Sequence, residues 1–157
     1  MNKKKKRLLI YSLGALQAFI GITAIAGGFR LVSNPNGTVD IPIQWLNNSP
    51  FTSYLIPGLV LLIVIGFGNV LAGTVSFLKK RYAGGIAAIL GTFLICFMTI
   101  EVWFVGLRNF LQPLYFILGA IVLILGLKLF KLFMAVPMEL ESKTHMELES
   151  KTHKFSV

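Results

Sequence analysis

The sequence is poor in charge and in the side chains that most enzymes use. Charged residues make up only 13% of its 157 residues, whereas soluble proteins carry about a quarter. There are two histidines, one cysteine and six acidic residues, and four of those acids fall in the last twenty positions. No motif of paired carboxylates, metal ligands or a nucleophile beside a base is present. We therefore predict no catalytic residue, no metal and no cofactor, and thus a protein that is not an enzyme.

The chain contains several long apolar segments. Hydrophobic residues make up 55% of the chain, and the mean hydropathy is +0.78. A helix needs about 20 mostly apolar residues to cross a bilayer, and the segments that qualify are 8–29, 54–78, 83–105 and 111–133. These runs do not alternate between apolar and polar residues, so we expect helices. The single Cys96 lies inside the third run, where we expect a small buried hydrophobe.

Basic residues indicate how the spans are oriented. Thirteen lie before the first span, between spans two and three, or from the end of span four onward, whereas the other two connections hold only Arg30 and Arg108. Basic residues concentrate on the cytoplasmic side. We predict an all-α transmembrane four-helix bundle that runs up-down-up-down with both termini cytoplasmic, and an outer loop at 31–49. The basic clusters flank apolar runs, so we expect contacts with the lipid bilayer and none with nucleic acid.

The N-terminal stretch also has features of a secretory signal, with a basic start, an apolar run and Ala24-Ile25-Ala26 as a cleavage site. Its apolar run exceeds the 7–15 residues that are usual for such signals, so we expect it to be retained. Cleavage would leave three spans with the same orientation.

Small residues recur every three or four positions along each predicted helix. The rows are Gly14, Gln17, Gly21, Ala24 and Gly28; Gly66, Asn69, Gly73 and Ser76; Gly84, Ala87, Gly91, Leu94, Met98 and Glu101; Gln112, Tyr115, Gly119, Val122 and Gly126. Such rows let helices pack closely in lipid, and they predict either a compact bundle or a homodimer. Because Gln17 and Asn69 lie at the same depth, we predict a hydrogen bond between them.

Glu101 is the only acid within a predicted span. A carboxylate there is costly, which makes it a marker of function or of a charged partner. One interpretation is a structural salt bridge to Arg30 or Arg108. The other is a site open to the outer face that binds an ion, a proton or a ligand, with Tyr115 and Gln112 at a similar depth.

Other residues mark the outer ends of the helices. Pro57 and Gly58 predict a kink or a late start of the second helix. Trp45, Tyr54 and Trp103 are typical of an aromatic belt at the membrane surface.

The segment 137–157 contains an exact duplication of MELESKTH, at residues 138–145 and 146–153. The spacing allows helical pairs of Glu139 with Lys143 and of Glu147 with Lys151. We expect a flexible cytoplasmic tail, separate from the transmembrane domain at 1–136. His145 and His153 are too few for a metal site.

Three stretches carry a resemblance, NPNGTVDIPIQWLNNSPFTSYLIPGLVLL, GNVLAG and FLQPLYFILG. They resemble a group of small, uncharacterised bacterial four-span integral membrane proteins, over about residues 8–130. The resemblance implies a bacterial cell membrane and carries over no functional residue. The absence of motifs and the packing rows favour an accessory or scaffolding subunit that binds a membrane-protein partner or a second copy. The alternative is a small oligomeric carrier or channel that uses Glu101.

Overall fold

The computed structural model describes the backbone of residues 3–47 and 49–155 and the side chains of residues 4–47, 49–134 and 146. Within those ranges the regular structure is helical, apart from one isolated bridge between Gly37 and Pro42. We label the four long helices α1 (Lys3–Ser33), α2 (Leu55–Phe77), α3 (Ala83–Val105) and α4 (Leu111–Phe155). A short 3-10 helix, Ile43–Leu46, lies in the connection between α1 and α2.

All four helices contain a segment long and apolar enough to cross a membrane, namely Lys4–Ser33, Leu55–Phe77, Ala83–Val105 and Leu111–Met134. Large apolar side chains are exposed along these segments, including Leu8, Ile22 and Ile89. This distribution is what lipid-facing helices require. α1 begins earlier than the predicted residue 8 because lysine is a good helix former and continues the helix beyond the apolar run.

The backbone of α4 is helical through the duplicated segment as far as Phe155. The helix is therefore longer than the predicted span that ends at residue 133. The side chains of the Glu139–Lys143 and Glu147–Lys151 pairs, and of His145 and His153, lie outside the described residues. The flexibility of the tail stays a prediction.

The helices pack as two pairs, which we call the first hairpin (α1 with α2) and the second hairpin (α3 with α4). In the first hairpin, residues early in α1 contact residues late in α2: Gly14 lies against Phe77, Gly21 against Val70, and Gly28 against Leu62. The second hairpin has the same reversed order, with Gly84 against Phe130 and Gly91 against Leu123. The small-residue rows therefore form the packing faces.

Two glycines of α3 show how close the backbones come. A Cβ atom added at Gly84 would lie 2.5 Å from the Phe130 amide nitrogen, and one added at Gly91 would lie 2.7 Å from the Leu123 amide nitrogen. Real Cβ atoms essentially never approach so closely. Because lipid gives helices little hydrophobic reason to associate, close backbone contact of this kind is a main source of their attraction.

α2 contains a π-helical stretch, Val60–Phe67. Pro57 lies in the first turn of α2, where its missing N–H breaks no helical bond. The irregularity of α2 is therefore at Val60–Phe67 and not at Pro57, which lies where the helix begins, in agreement with the late-start alternative. Gly58 and Gly66 are eight residues apart, whereas Gly66 and Gly73 are seven apart, and all three face α1. The wider π turns take in the extra residue and keep the three glycines on one face.

The predicted hydrogen bond between Gln17 and Asn69 is not formed. The Ser76 hydroxyl donates to Gln17 Oε1 at 2.9 Å, and Asn69 Nδ2 donates to the Ile65 carbonyl at 2.8 Å. Side chains lean toward the N-terminus of their own helix. In two helices with reversed order, Gln17 and Asn69 therefore lean away from each other, although they start at the same depth.

The two hairpins meet along a buried apolar cluster. Its largest fully buried apolar members are Leu13, Ile20, Ile65, Leu94, Val122 and Leu129. Lys6 adds a cation–π contact across the hairpins, with its ammonium 4.2 Å from the centre of the Phe133 ring. Cys96 is exposed on the apolar surface, so the prediction that it is buried is wrong. It follows Ile95 and precedes Phe97 on a helix whose inward row runs through Leu94 and Met98.

Candidate functional site

A cavity of about 250 Å³ lies where the end of α1, the start of α2, the end of α3 and the start of α4 come together. We call this end of the bundle the pocket end. The five residues that the sequence singled out as ligand or ion contacts all line this cavity: Glu101, Arg108, Arg30, Tyr115 and Gln112. They come from three helices and one connection, so the fold brings together residues as far apart in sequence as Arg30 and Tyr115.

Glu101 is half-buried in the wall of the cavity. Its one hydrogen bond among the described side chains comes from Gln112 Nε2, at a long 3.4 Å. No cation lies within ion-pair distance of it in the described part of the chain. Its carboxylate oxygens are therefore largely unused by the protein.

The predicted salt bridge from Glu101 to Arg30 or Arg108 is wrong. Arg30 pairs instead with Asp40 at 2.8 Å, on the exposed surface, where neither charge has to leave water. Arg108 lies beyond the end of α3, after Gly106 at φ 79°, and its Nε donates to the Val105 carbonyl at 3.2 Å. The turn takes Arg108 off the helical face of Glu101, which the sequence argument had assumed to continue.

Gln112 links Glu101 to the connection between α3 and α4. Its side chain is buried, and its Oε1 accepts the backbone N–H groups of Arg108 at 2.9 Å and Asn109 at 3.3 Å. The same amide donates through Nε2 to Glu101. One side chain therefore connects the turn that carries Arg108 with the carboxylate, which it reaches only through the long 3.4 Å contact.

Tyr115 lines the cavity and links the two hairpins. Its hydroxyl donates to Thr23 Oγ1 at 2.6 Å, and Thr23 donates in turn to the Phe19 carbonyl at 2.8 Å. This bond joins α4 to α1 beside the cavity. Thr23 was not identified from the sequence because it lies beside the small-residue row of α1, where a threonine is unremarkable.

The connection between α1 and α2 covers the cavity. The Tyr54 hydroxyl donates to the Pro42 carbonyl at 2.9 Å, and Leu46 of the 3-10 helix is buried. Burial raises the pKa of the Tyr54 hydroxyl, and the nearby Glu101 carboxylate raises it further. The connection is therefore tied down over the pocket, close to the acid.

Most of the cavity wall is apolar or aromatic. Six rings line it, from Trp45, Phe51, Tyr54, Phe97, Phe104 and Tyr115. Trp103 is 83% exposed, as a belt residue would be, whereas Tyr54 is only 5% exposed and its ring faces the cavity. The predicted belt is therefore wrong for Tyr54.

The cavity presents few polar groups that are free of structural hydrogen bonds. One acid faces the space, and the hydroxyls of Tyr115 and Tyr54 are engaged in structural hydrogen bonds. In the described part of the chain, no group of three His, Cys, Asp or Glu side chains is placed to hold a metal ion. No protein-family profile, curated protein or solved structure matches the chain.

Proposed function

We propose that this is a multi-span membrane protein that binds a small ligand in the cavity at the pocket end, with Glu101 as its main polar contact. The observation that carries the proposal is the half-buried Glu101 carboxylate, which lines a cavity and has no cationic partner among the described residues. Such a group costs free energy in an apolar setting, and a bound ligand of suitable charge offsets that cost. The sequence also left open a small carrier or channel that uses Glu101. Such a protein would be one specific case of this ligand-binding function.

The proposed setting is a bacterial cell membrane, with both termini in the cytoplasm and the pocket end on the outer face. The reversed contacts in both hairpins support an up-down-up-down bundle. Lys79, Lys80 and Arg81 lie between the hairpins, at the opposite end from the cavity, which supports this orientation.

The orientation has a direct test by labelling with a membrane-impermeant maleimide in a Cys96→Ala background. A cysteine at exposed Asn47 is expected to react in intact cells, and one at exposed Lys80 only after the membrane is permeabilised. The reverse pattern would place the cavity on the cytoplasmic side.

Ligand binding is tested by native mass spectrometry after extraction in mild detergent. The informative variant is Gly27→Leu, because Gly27 lines the cavity and an added Cβ would meet nothing closer than the Leu61 side chain at 3.5 Å. The matched control is Gly85→Leu, which has the same 3.5 Å clearance to Phe130 and lies outside the cavity.

We expect wild type and Gly85→Leu to retain a defined small molecule or lipid, and Gly27→Leu to lose it. A second polypeptide bound to all three proteins, with no small ligand, would instead support the accessory or scaffolding role that the sequence favoured. An assembly of several copies with ligand would support an oligomeric carrier.

A further inference from the structure

We propose that the ligand of this pocket carries an organic ammonium group on a compact apolar body, with the ammonium between the Glu101 carboxylate and the aromatic rings of the cavity wall. This inference rests on the proposed function and names the chemical class that the pocket would take. The class includes the ethanolamine or choline headgroup of a lipid and a free amphipathic amine.

The charges of the pocket favour a cation over an anion. Arg30 is neutralised by Asp40, and Arg108 is exposed at the edge of the cavity. Glu101 is the half-buried charge, and no described cation compensates it. A bound anion would face this carboxylate across a small apolar space, where repulsion is poorly screened.

The aromatic wall favours an organic cation over a metal ion. The face of an aromatic ring carries partial negative charge and attracts an ammonium group placed over it. Calcium takes six to eight oxygen ligands and magnesium usually keeps several waters. The wall offers mainly rings and aliphatic groups, and its tyrosine hydroxyls are committed to Thr23 and Pro42. A singly charged organic ammonium gives up less hydration on entering such a wall than a divalent metal ion would, and a trimethylated ammonium gives up the least.

The size of the cavity sets the size of the ligand. About 250 Å³ is at or below the range of ordinary small-molecule sites, which run from about 300 to 1,000 Å³. A single-ring amine or a lipid headgroup is of that scale. We therefore choose benzyltrimethylammonium as the probe and benzylsulfonate as an anion of similar size.

The test is isothermal titration of the purified protein in phosphatidylglycerol nanodiscs. Wild type is expected to bind benzyltrimethylammonium saturably and benzylsulfonate not at all. Glu101→Gln keeps the shape of the side chain and removes its charge. It should weaken binding about 10- to 100-fold, because the Coulombic attraction between the carboxylate and the quaternary ammonium is lost in a poorly screened site. Glu101→Asp should retain part of the affinity.

The control for net charge is Glu141→Gln. It makes the same exchange of a carboxylate for an amide in the duplicated segment 137–157. Its affinity for the probe is expected to stay close to that of wild type. Phe97→Leu, which keeps an apolar side chain and removes a ring, should weaken binding about 2- to 5-fold.

Three results would overturn the assignment. They are benzylsulfonate binding as tightly as the cation, Glu101→Gln binding the cation like wild type, and Glu141→Gln weakening cation binding as much as Glu101→Gln. Helical content and a single oligomeric species establish that each variant is folded. If Glu101→Gln fails to fold, Glu101→Asp and Phe97→Leu supply the comparison.

The two sources of an ammonium group are separated by titration in two sets of nanodiscs that contain the same fraction of phosphatidylglycerol, so that their surface charge is equal. The remaining lipid is phosphatidylethanolamine in one set and uncharged digalactosyldiacylglycerol in the other. Weaker apparent affinity in the phosphatidylethanolamine set would show that the lipid headgroup competes for the pocket, and equal affinity would assign the pocket to a free amine. If Gly27→Leu still displaces a native ligand but the probe binds independently of Glu101, the ammonium assignment fails and the proposed function stands. If Gly27→Leu displaces no native ligand and the probe binds independently of Glu101, both the ammonium assignment and the proposed function fail.

Discussion

In the first hairpin, Gly14 and Gly21 of α1 face Gly73 and Gly66 of α2, and in the second hairpin Gly84 and Gly91 of α3 face Gly126 and Gly119 of α4. The residues three positions after these glycines are buried in both hairpins, but their chemistry differs. In the first hairpin three of the four are polar, and in the second all four are apolar: Gln17, Ala24, Asn69 and Ser76 in the first, and Ala87, Leu94, Val122 and Leu129 in the second. The same close contact therefore accommodates polar or apolar neighbours. This comparison indicates that backbone proximity, more than hydrogen bonding, holds each hairpin together.

The largest expected effect comes from Gly84→Ala in the second hairpin. Its Cβ would lie 2.5 Å from a backbone atom of α4, which cannot move without separating the helices. We expect a loss of about 1–3 kcal/mol in the free energy of unfolding, measured by SDS titration in bicelles. The adjacent Gly85→Ala is the control, because its Cβ meets only the Phe130 side chain at 3.5 Å. It should be neutral or stabilising by up to about 1 kcal/mol, and equal losses in the two variants would contradict the packing argument.

Gly28→Ala makes the matching change in the first hairpin, where the Cβ would lie 2.6 Å from the Leu62 amide nitrogen. Leu62 belongs to the π-helical stretch, in which the backbone is less regular. We therefore expect a smaller loss in the same SDS titration, about 1 kcal/mol. Gly27→Ala, with 3.5 Å of clearance, is the control. A greater loss than that of Gly84→Ala would show that the first hairpin is the more rigid of the two.

Tyr115→Phe removes a hydrogen bond that joins the two hairpins. Interhelical hydrogen bonds in membranes contribute about 0.6 kcal/mol on average and about 1.7 at most, so we expect a loss in that range. Tyr82→Phe, at an exposed position far from the cavity, should leave stability unchanged. A loss above about 2 kcal/mol would mean that Tyr115 does more than donate one bond.

The double variant Gln17→Leu/Ser76→Ala gives the first hairpin the apolar character of the second. It removes the Ser76–Gln17 hydrogen bond and also the Gln17 Nε2 donor, which is buried and has no hydrogen-bond partner among the described residues. These effects oppose each other, so the free energy of unfolding should change by less than about 1 kcal/mol. A decrease of several kcal/mol in the free energy of unfolding, measured by thermal or SDS unfolding, would show that the Ser76–Gln17 pair is a main source of stability in the first hairpin.

The sequence predicted the four helices and their packing rows because both depend on local pattern: apolar length, and small residues at helical spacing. It also identified five residues of the cavity wall, because polar side chains near the ends of apolar runs are conspicuous. It failed where the outcome depends on the direction of a side chain or on a distant partner. Gln17 leans toward Ser76. Arg30 pairs with Asp40, which lies on a connection whose irregular conformation cannot be predicted from a periodic sequence pattern.

The aromatic lining was missed for a related reason. Phe97 and Phe104 are ordinary members of an apolar helix until α4 and the 3-10 helix are placed around them. Likewise, the π-helical stretch follows from the fit of α2 against α1, since the spacing of Gly58 and Gly66 has meaning only when the partner helix is known.

The single amide of Gln112 has a consequence beyond the cavity. It holds the Glu101 carboxylate with one end and the backbone of Arg108 and Asn109 with the other. If the proposed ligand draws Glu101 away from Gln112, it frees one end of that amide, and occupancy of the cavity is then linked to the order of the surface turn. Linkage of this kind is reciprocal. A protein, lipid or antibody that binds the turn at Arg108 would then change the affinity of the cavity for its ligand by some factor. The ligand would change the affinity of the turn for that molecule by the same factor.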